Sequence, residues 1–87
     1  MAYTDHEDLG EAERILLVMH NLCIVRPEIA WQGKEIAKNI PLPEGDALSM
    51  LEQLETKGYV RSEMDHTGIR RFYLSSTGII KVSTLFT

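Results

Sequence analysis

A chain of 87 residues has room for one small domain with one core, and 44% apolar with 25% charged residues is an ordinary soluble composition. No stretch reaches the roughly 18 apolar residues of a membrane span, and the single cysteine, Cys23, excludes an internal disulfide and fits a reducing, cytoplasmic setting. The net charge of −4 speaks against a strongly basic nucleic-acid binder, although the excess is local: residues 1–30 hold six acids against Arg14 and Arg26, whereas residues 31–87 hold seven acids and seven bases.

In chain order, residues 1–7 are polar, acidic and without the basic start of a signal peptide, and they are expected to be frayed. Asp8 and Glu11 have the spacing of a capping box. Behind them Ile15, Leu16, Val18, Met19, Leu22 and Cys23 form an apolar stripe, which predicts a helix over about 9–24. Pro27 prevents its continuation. Ile29-Ala30-Trp31 reads as a short extended piece and Gln32-Gly33 as a loop leading into a helix. Residues 34–40 form that short helix, with Ile36, Ala37 and Ile40 inward. Pro41-Leu42-Pro43 is a turn in which Leu42 is the buried residue and Pro43 starts the next helix, where its missing N–H costs nothing.

The longest clear pattern follows. With 100° per residue, Ala47, Leu51 and Leu54 share one face, with Leu48 on its flank. Gly45, Ser49, Glu52, Gln53 and Thr56 lie on the other side. A helix over 43–57 ends with Lys57 in its last turn and Gly58 as the residue able to take the left-handed conformation. Tyr59 and Val60 then favour extended chain. Asp65-His66-Thr67-Gly68 has the composition of a type I turn between two strand-like runs, predicting a β-hairpin over 59–75. Val60, Met64, Phe72 and Leu74 are expected to face the core, and strand alternation puts Arg70 and Arg71 on opposite faces, with one of them outward beside Tyr73. Ser75 or Ser76 is placed to cap a last short helix carrying Ile79, Ile80, Val82 and Leu85.

Three phrases carry a resemblance. Leu51-Glu52-Gln53-Leu54-Glu55-Thr56-Lys57-Gly58-Tyr59-Val60 resembles the end of the recognition helix and the following strand in winged helix-turn-helix regulators, closest to the MarR, PadR and ArsR-like group. Glu35-Ile36-Ala37-Lys38-Asn39-Ile40 is similar to the Glu-Leu-Ala-x-x-Leu wording of the preceding helix, and Tyr73-Leu74-Ser75-Ser76-Thr77-Gly78 to the Tyr-x-Leu-Thr-x-x-Gly phrase that closes the wing. The resemblance covers residues 9 to about 82. It implies an α+β winged helix-turn-helix over 1–87, with a three-helix core, a β-hairpin wing, a short C-terminal helix, and a short strand near Ile29–Trp31 pairing with the wing. It further implies a small transcriptional regulator binding double-stranded DNA, with helix 43–57 in the major groove and the wing 59–75 against the backbone. The DNA-binding residues on that view are Lys34, Lys38, Ser49, Gln53, Arg61, Arg70 and Arg71.

The outer face of helix 43–57 departs from the usual DNA reader. Ser49 and Gln53 suit base edges, but Glu44, Asp46 and Glu52 stand beside them and repel phosphate. The alternative is therefore a winged-helix module that binds another protein and not DNA. His20 and Cys23 are too few for a structural zinc site and read as a surface histidine and a packed thiol; no metal or cofactor is expected. His66 sits at the wing tip, and Trp31 reads as a packing residue. With no phosphate-binding glycine loop and no nucleophile–base pair, the chain does not read as an enzyme. A homodimer is expected from the symmetry of DNA half-sites, through the first helix or the tail residues Ile79, Ile80, Val82, Leu85 and Phe86.

Overall fold

The structure, a computed structural model, describes residues 10–85. Helix α1 spans Glu11–Asn21, followed by a single 3₁₀ turn at Pro27–Ile29, strand β1 at Trp31–Gln32 and helix α2 at Gly33–Ala37. Helix α3 runs Glu44–Thr56, strands β2 and β3 are Val60–Met64 and Arg70–Leu74, and helix α4 is Ser76–Leu85. The sheet is antiparallel in the order β1-β3-β2. This is the α+β winged-helix arrangement: three helices under a hairpin wing, closed by a terminal helix.

One core holds these elements together. Ile15, Leu16 and Met19 of α1 meet Ile36 of α2, Leu51 and Leu54 of α3, Val60, Phe72 and Leu74 of the wing, and Val82 of α4, all essentially inaccessible to water. Alternation in the wing is strict. Val60, Ser62, Met64, Arg70, Phe72 and Leu74 share the helix-facing side of the sheet, and Arg61, Glu63, Arg71 and Tyr73 share the other. Arg71 thus lies on the face of Tyr73, as expected from its parity.

Several details differ from expectation. Helix α1 starts at Glu11, where Glu13 Oε1 accepts the Gly10 N–H at 3.0 Å; the Asp8 cap lies outside the described residues. It ends at Asn21, and Cys23 takes a left-handed conformation (φ 60°) that lets Ile24 N–H bond Met19 O at 2.9 Å. Cys23 is therefore exposed, not a packed thiol, and Leu22 is also largely outward, while Ile24 is fully buried. The expected strand at Ile29–Trp31 moves on to Trp31–Gln32, because Pro27 sets the φ of a 3₁₀ turn in which Ala30 N–H bonds Pro27 O. The helix expected over 34–40 runs from Gly33 to Ala37, although Ile40 remains buried beyond its end. Pro43 precedes the first turn of α3 as its N-cap, and Leu42 is half-buried. Met64, expected in the core, is 68% exposed. The hairpin extends past the helical layer, so the helix-facing side is covered at Val60 but not at the tip.

The joints at either end of the wing are tightly bonded. Gly58 turns the chain out of α3 at φ 87°, with Tyr59 N–H bonding Leu54 O. Ser75 is the cap of α4: its Oγ accepts the Gly78 N–H and donates to Gly58 O. Gly78 packs so closely on Tyr59 that a Cβ there would lie 2.0 Å from Tyr59 O. Of the tail residues, Val82 is buried, Ile79 and Leu85 are half-buried, and Ile80 is 63% exposed. Phe86 lies outside the described residues.

Candidate nucleic-acid interface

Helix α3 owes its orientation to the core stripe Ala47, Leu51 and Leu54, which turns Ser49 and Gln53 outward, one helical turn apart on the same side. Glu44 and Asp46 occupy the first turn of α3, where acids suit the positive end of the helix dipole. Both are exposed and form no ion pair among the described residues. Lys34 and Lys38 are exposed on and just after α2, the first of them beside the N-terminal half of α3. An open groove of about 220 Å³ separates α3 from the wing; Lys34 and Glu44 line it with Leu48, Ile69, Phe72 and Arg70. Leu48 and Ile69 are 40% and 41% exposed on its walls, so the rim is partly apolar.

The two wing arginines are held by carboxylates of the same chain. Arg70 faces the helices, where its Nη1 donates to Glu52 Oε2 at 3.0 Å, its Nη2 to Glu55, and its Nε to Ser62 Oγ at 3.0 Å. The guanidinium also stacks 4.9 Å from the centroid of the Phe72 ring. Ser62 Oγ in turn donates to Glu55 Oε2 at 2.7 Å. Arg71, on the opposite face, donates from Nε to Asp65 Oδ2 at 2.9 Å and lies 4.0 Å from Glu35. Asp65 is the hub of the wing tip. Its carboxylate accepts the Thr67 hydroxyl, the Arg71 guanidinium, and the backbone N–H groups of Ile69 and Thr67. These bonds, with the Thr67 hydroxyl first, hold it well below the usual carboxylate range.

Lys34 and Arg70 thus line the same groove beside α3, with Arg70 already held by Glu52 and Glu55, whereas Ser49 and Gln53 are exposed on α3 outside the residues that line that groove. Arg61 stands apart on the other face of the sheet, opposite Tyr73, exposed and without an ion pair among the described residues. Glu55 and Asp65 were not singled out from the sequence as partners. A signal was present: Arg70 shares parity with Phe72 and must look toward the helix that precedes the hairpin. Asp65 was read as a turn residue only, and its reach to Arg71 depends on the twist of the hairpin. Among the described residues no group of three or more His, Cys, Asp or Glu side chains is placed to hold a metal. No described helix is long and apolar enough to cross a membrane.

No family model and no curated protein matches the chain. Solved structures do. A point mutant of S. aureus MepR bound to an oligodeoxyribonucleotide aligns with a TM-score of 0.74 at 17% identity, over 93% of this chain and 58% of that one. A MepR–DNA complex from S. aureus aligns with a TM-score of 0.69 at 18% identity, over 91% of this chain and 65% of the other. A Ralstonia eutropha protein, provisionally described as DNA-binding, aligns with a TM-score of 0.74 at 25% identity, over 91% of this chain and 99% of its own. The chain spans a little over half the length of the first of the MepR chains it matches, and nearly all of the Ralstonia protein. Its fold is that of MarR-family winged-helix regulators.

Proposed function

We propose that the domain binds double-stranded DNA as a small cytoplasmic transcriptional regulator, with α3 in the major groove and the wing beside the backbone. The observation that carries this reading is the outward face of α3. Ser49 and Gln53 are exposed on it within a fold shared with MepR, two structures of which are DNA complexes. Of the cations expected to meet DNA, Lys34, Lys38 and Arg61 have no carboxylate partner among the described residues and are the ones left for phosphate. Arg70 and Arg71 contribute less charge, because Glu52, Glu55 and Asp65 neutralise them; their main effect is to hold the wing in shape. Two copies on two half-sites would match the symmetry of an operator.

A second reading is favoured by one observation. The groove beside α3 has apolar walls at Leu48 and Ile69 and carries Glu44 on its rim, a surface better suited to a polypeptide than to phosphate. An anisotropy titration with mixed-sequence and promoter-derived duplexes, at low and moderate salt, decides between the two. DNA binding predicts affinity that falls with salt, with a slope lowered by roughly one unit for each of Lys34, Lys38 or Arg61 changed to alanine. Ser49→Ala or Gln53→Ala changes preference among sequences by roughly 1–3 kcal/mol at one base. Absence of binding even at low salt rejects the DNA reading in favour of a protein partner.

A further inference from the structure

Strand β2 is an edge of the sheet, since β3 lies between it and β1. Two hydrogen bonds fix which of its backbone groups are unused. Asp65 N–H bonds Ile69 O at the tip and Ser75 N–H bonds Tyr59 O at the base. Antiparallel ladders alternate, so Arg61 and Glu63 spend their N–H and C=O groups on Tyr73 and Arg71. Val60, Ser62 and Met64 point theirs out of the sheet, where an added strand would find them.

We infer that this edge pairs with the same edge of a second copy, antiparallel about a two-fold axis through Ser62. In that register Ser62 meets Ser62, Val60 meets Met64 of the second copy, and each exposed Arg61 stands opposite Glu63 of the other chain. The charge pattern selects this register from its neighbours. Shifting the axis to Arg61 sets arginine against arginine, and shifting it to Glu63 sets glutamate against glutamate. Arg61 and Glu63 are both exposed and have no ion-pair partner in this chain among the described residues. Met64, 68% exposed on the helix-facing side, also finds a place. Opposite Val60 of the second copy it enters a groove of about 410 Å³ beside the edge, lined by Glu55, Gly58, Val60, Arg61 and Ser62. Apolar side chain, unused backbone groups and complementary charges therefore meet in one register. The pairing stands on the hairpin geometry and not on whether α3 reads DNA; because it takes up Arg61, the dimer leaves Lys34 and Lys38 as the cations for phosphate.

Sedimentation velocity on the full chain, from about 10 to about 500 μM at low salt, tests it. The expected result is a concentration-dependent dimer that added salt weakens. Arg61→Glu and Glu63→Arg, each shown to be folded by circular dichroism, should each weaken association by about tenfold or more, because two attractive pairs become repulsive. Combining both substitutions in one chain restores the opposite pairs and should restore the dimer. An equimolar mixture of the two single variants should form the heterodimer, which is an independent arm if the combined variant folds poorly. A wild-type chain that is monomeric throughout overturns the proposal. So do single variants that associate as well as wild type, or a dimer abolished by Ile80→Glu on α4 and indifferent to Arg61.

Discussion

At the scale of single residues, two glycines shape the joints of the wing and one aspartate shapes its tip. Gly58 sits at φ 87° with open space around it, so the only obstacle to a side chain there is the backbone conformation. Gly58→Val should destabilise by about 1 kcal/mol or more, a drop of several degrees in Tm for a domain of this size. Gly78 is the opposite case. Alanine in a helix normally gains about 1 kcal/mol over glycine, but here its Cβ would collide with Tyr59 O. The sign should therefore invert, and Gly78→Ala should lower stability by about 1–3 kcal/mol as α4 is pushed off the wing. A thermal melt of each variant checks both. Asp65 adds a dependence on pH. Its carboxylate is ionised in the folded wing well below its ordinary value of 3.8, because Thr67, then Arg71, then Ile69 bond the charged form. Its contribution is thus fully present above the ordinary carboxylate range and is lost as the pH falls below it. Protection of the Thr67 and Ile69 amides, taken relative to the intrinsic exchange rate at each pH, should fall below about pH 4, ahead of global unfolding, and Asp65→Asn should remove that acid-sensitive step.

At the scale of elements, helix α3 and the wing are clamped to one another. Arg70 reaches from β3 to both Glu52 and Glu55, which lie on successive turns of α3, and the Phe72 ring lies against its guanidinium. The side chains are 31% to 53% exposed, so each ion pair contributes only about 0.2–1 kcal/mol to stability. Their larger effect is on charge. Glu52, read from the sequence as a source of repulsion, is compensated in the fold, and Arg70, read as a phosphate contact, is spent on that compensation. Replacing Glu52 and Glu55 together by glutamine should cost about 1 kcal/mol of stability while releasing Arg70. If the domain binds DNA, affinity should then rise for all sequences and the salt slope should steepen by about one unit. A slope identical to wild type would mean that Arg70 cannot reach the backbone even when released.

At the scale of the whole molecule, Glu44 and Asp46 are the acids of the candidate interface on α3 that have no ion pair among the described residues. Changing them to glutamine and asparagine should weaken the N-terminal end of α3 by about 0.3–1 kcal/mol each, since they complement its dipole. The effect on binding has a sign that separates the two functional readings. Binding to duplex DNA should strengthen as repulsion is removed, whereas binding to a basic polypeptide partner should weaken. Titration of the doubly neutralised chain against mixed-sequence duplex is the measurement, and weaker DNA binding would show that these carboxylates contact bases.

The order of elements, the amphipathic face of α3, the stop at Gly58, the turn at Asp65–Gly68 and the opposite parity of Arg70 and Arg71 were all legible in the residues. Each depends on a period of 3.6 or 2, or on the backbone freedom of one residue, and such constraints are written locally. The partners of the charged side chains were not. Arg70 and Glu52 are 18 residues apart, and they meet only because the core stripe of α3 and the burial of Phe72 bring those two surfaces together. Periodicity says which side of an element a residue occupies, and not what stands opposite. The same reason accounts for Met64. Its alternation with Val60 is right, but whether that side is covered depends on how far the helical layer extends under the hairpin, a length set by packing of the whole chain. Sequence alone therefore determined the fold and the outward set Ser49 and Gln53. Tertiary structure decided which cations remain available, which acids are neutralised and which strand edge is left open, because each is settled by contacts between segments distant along the chain.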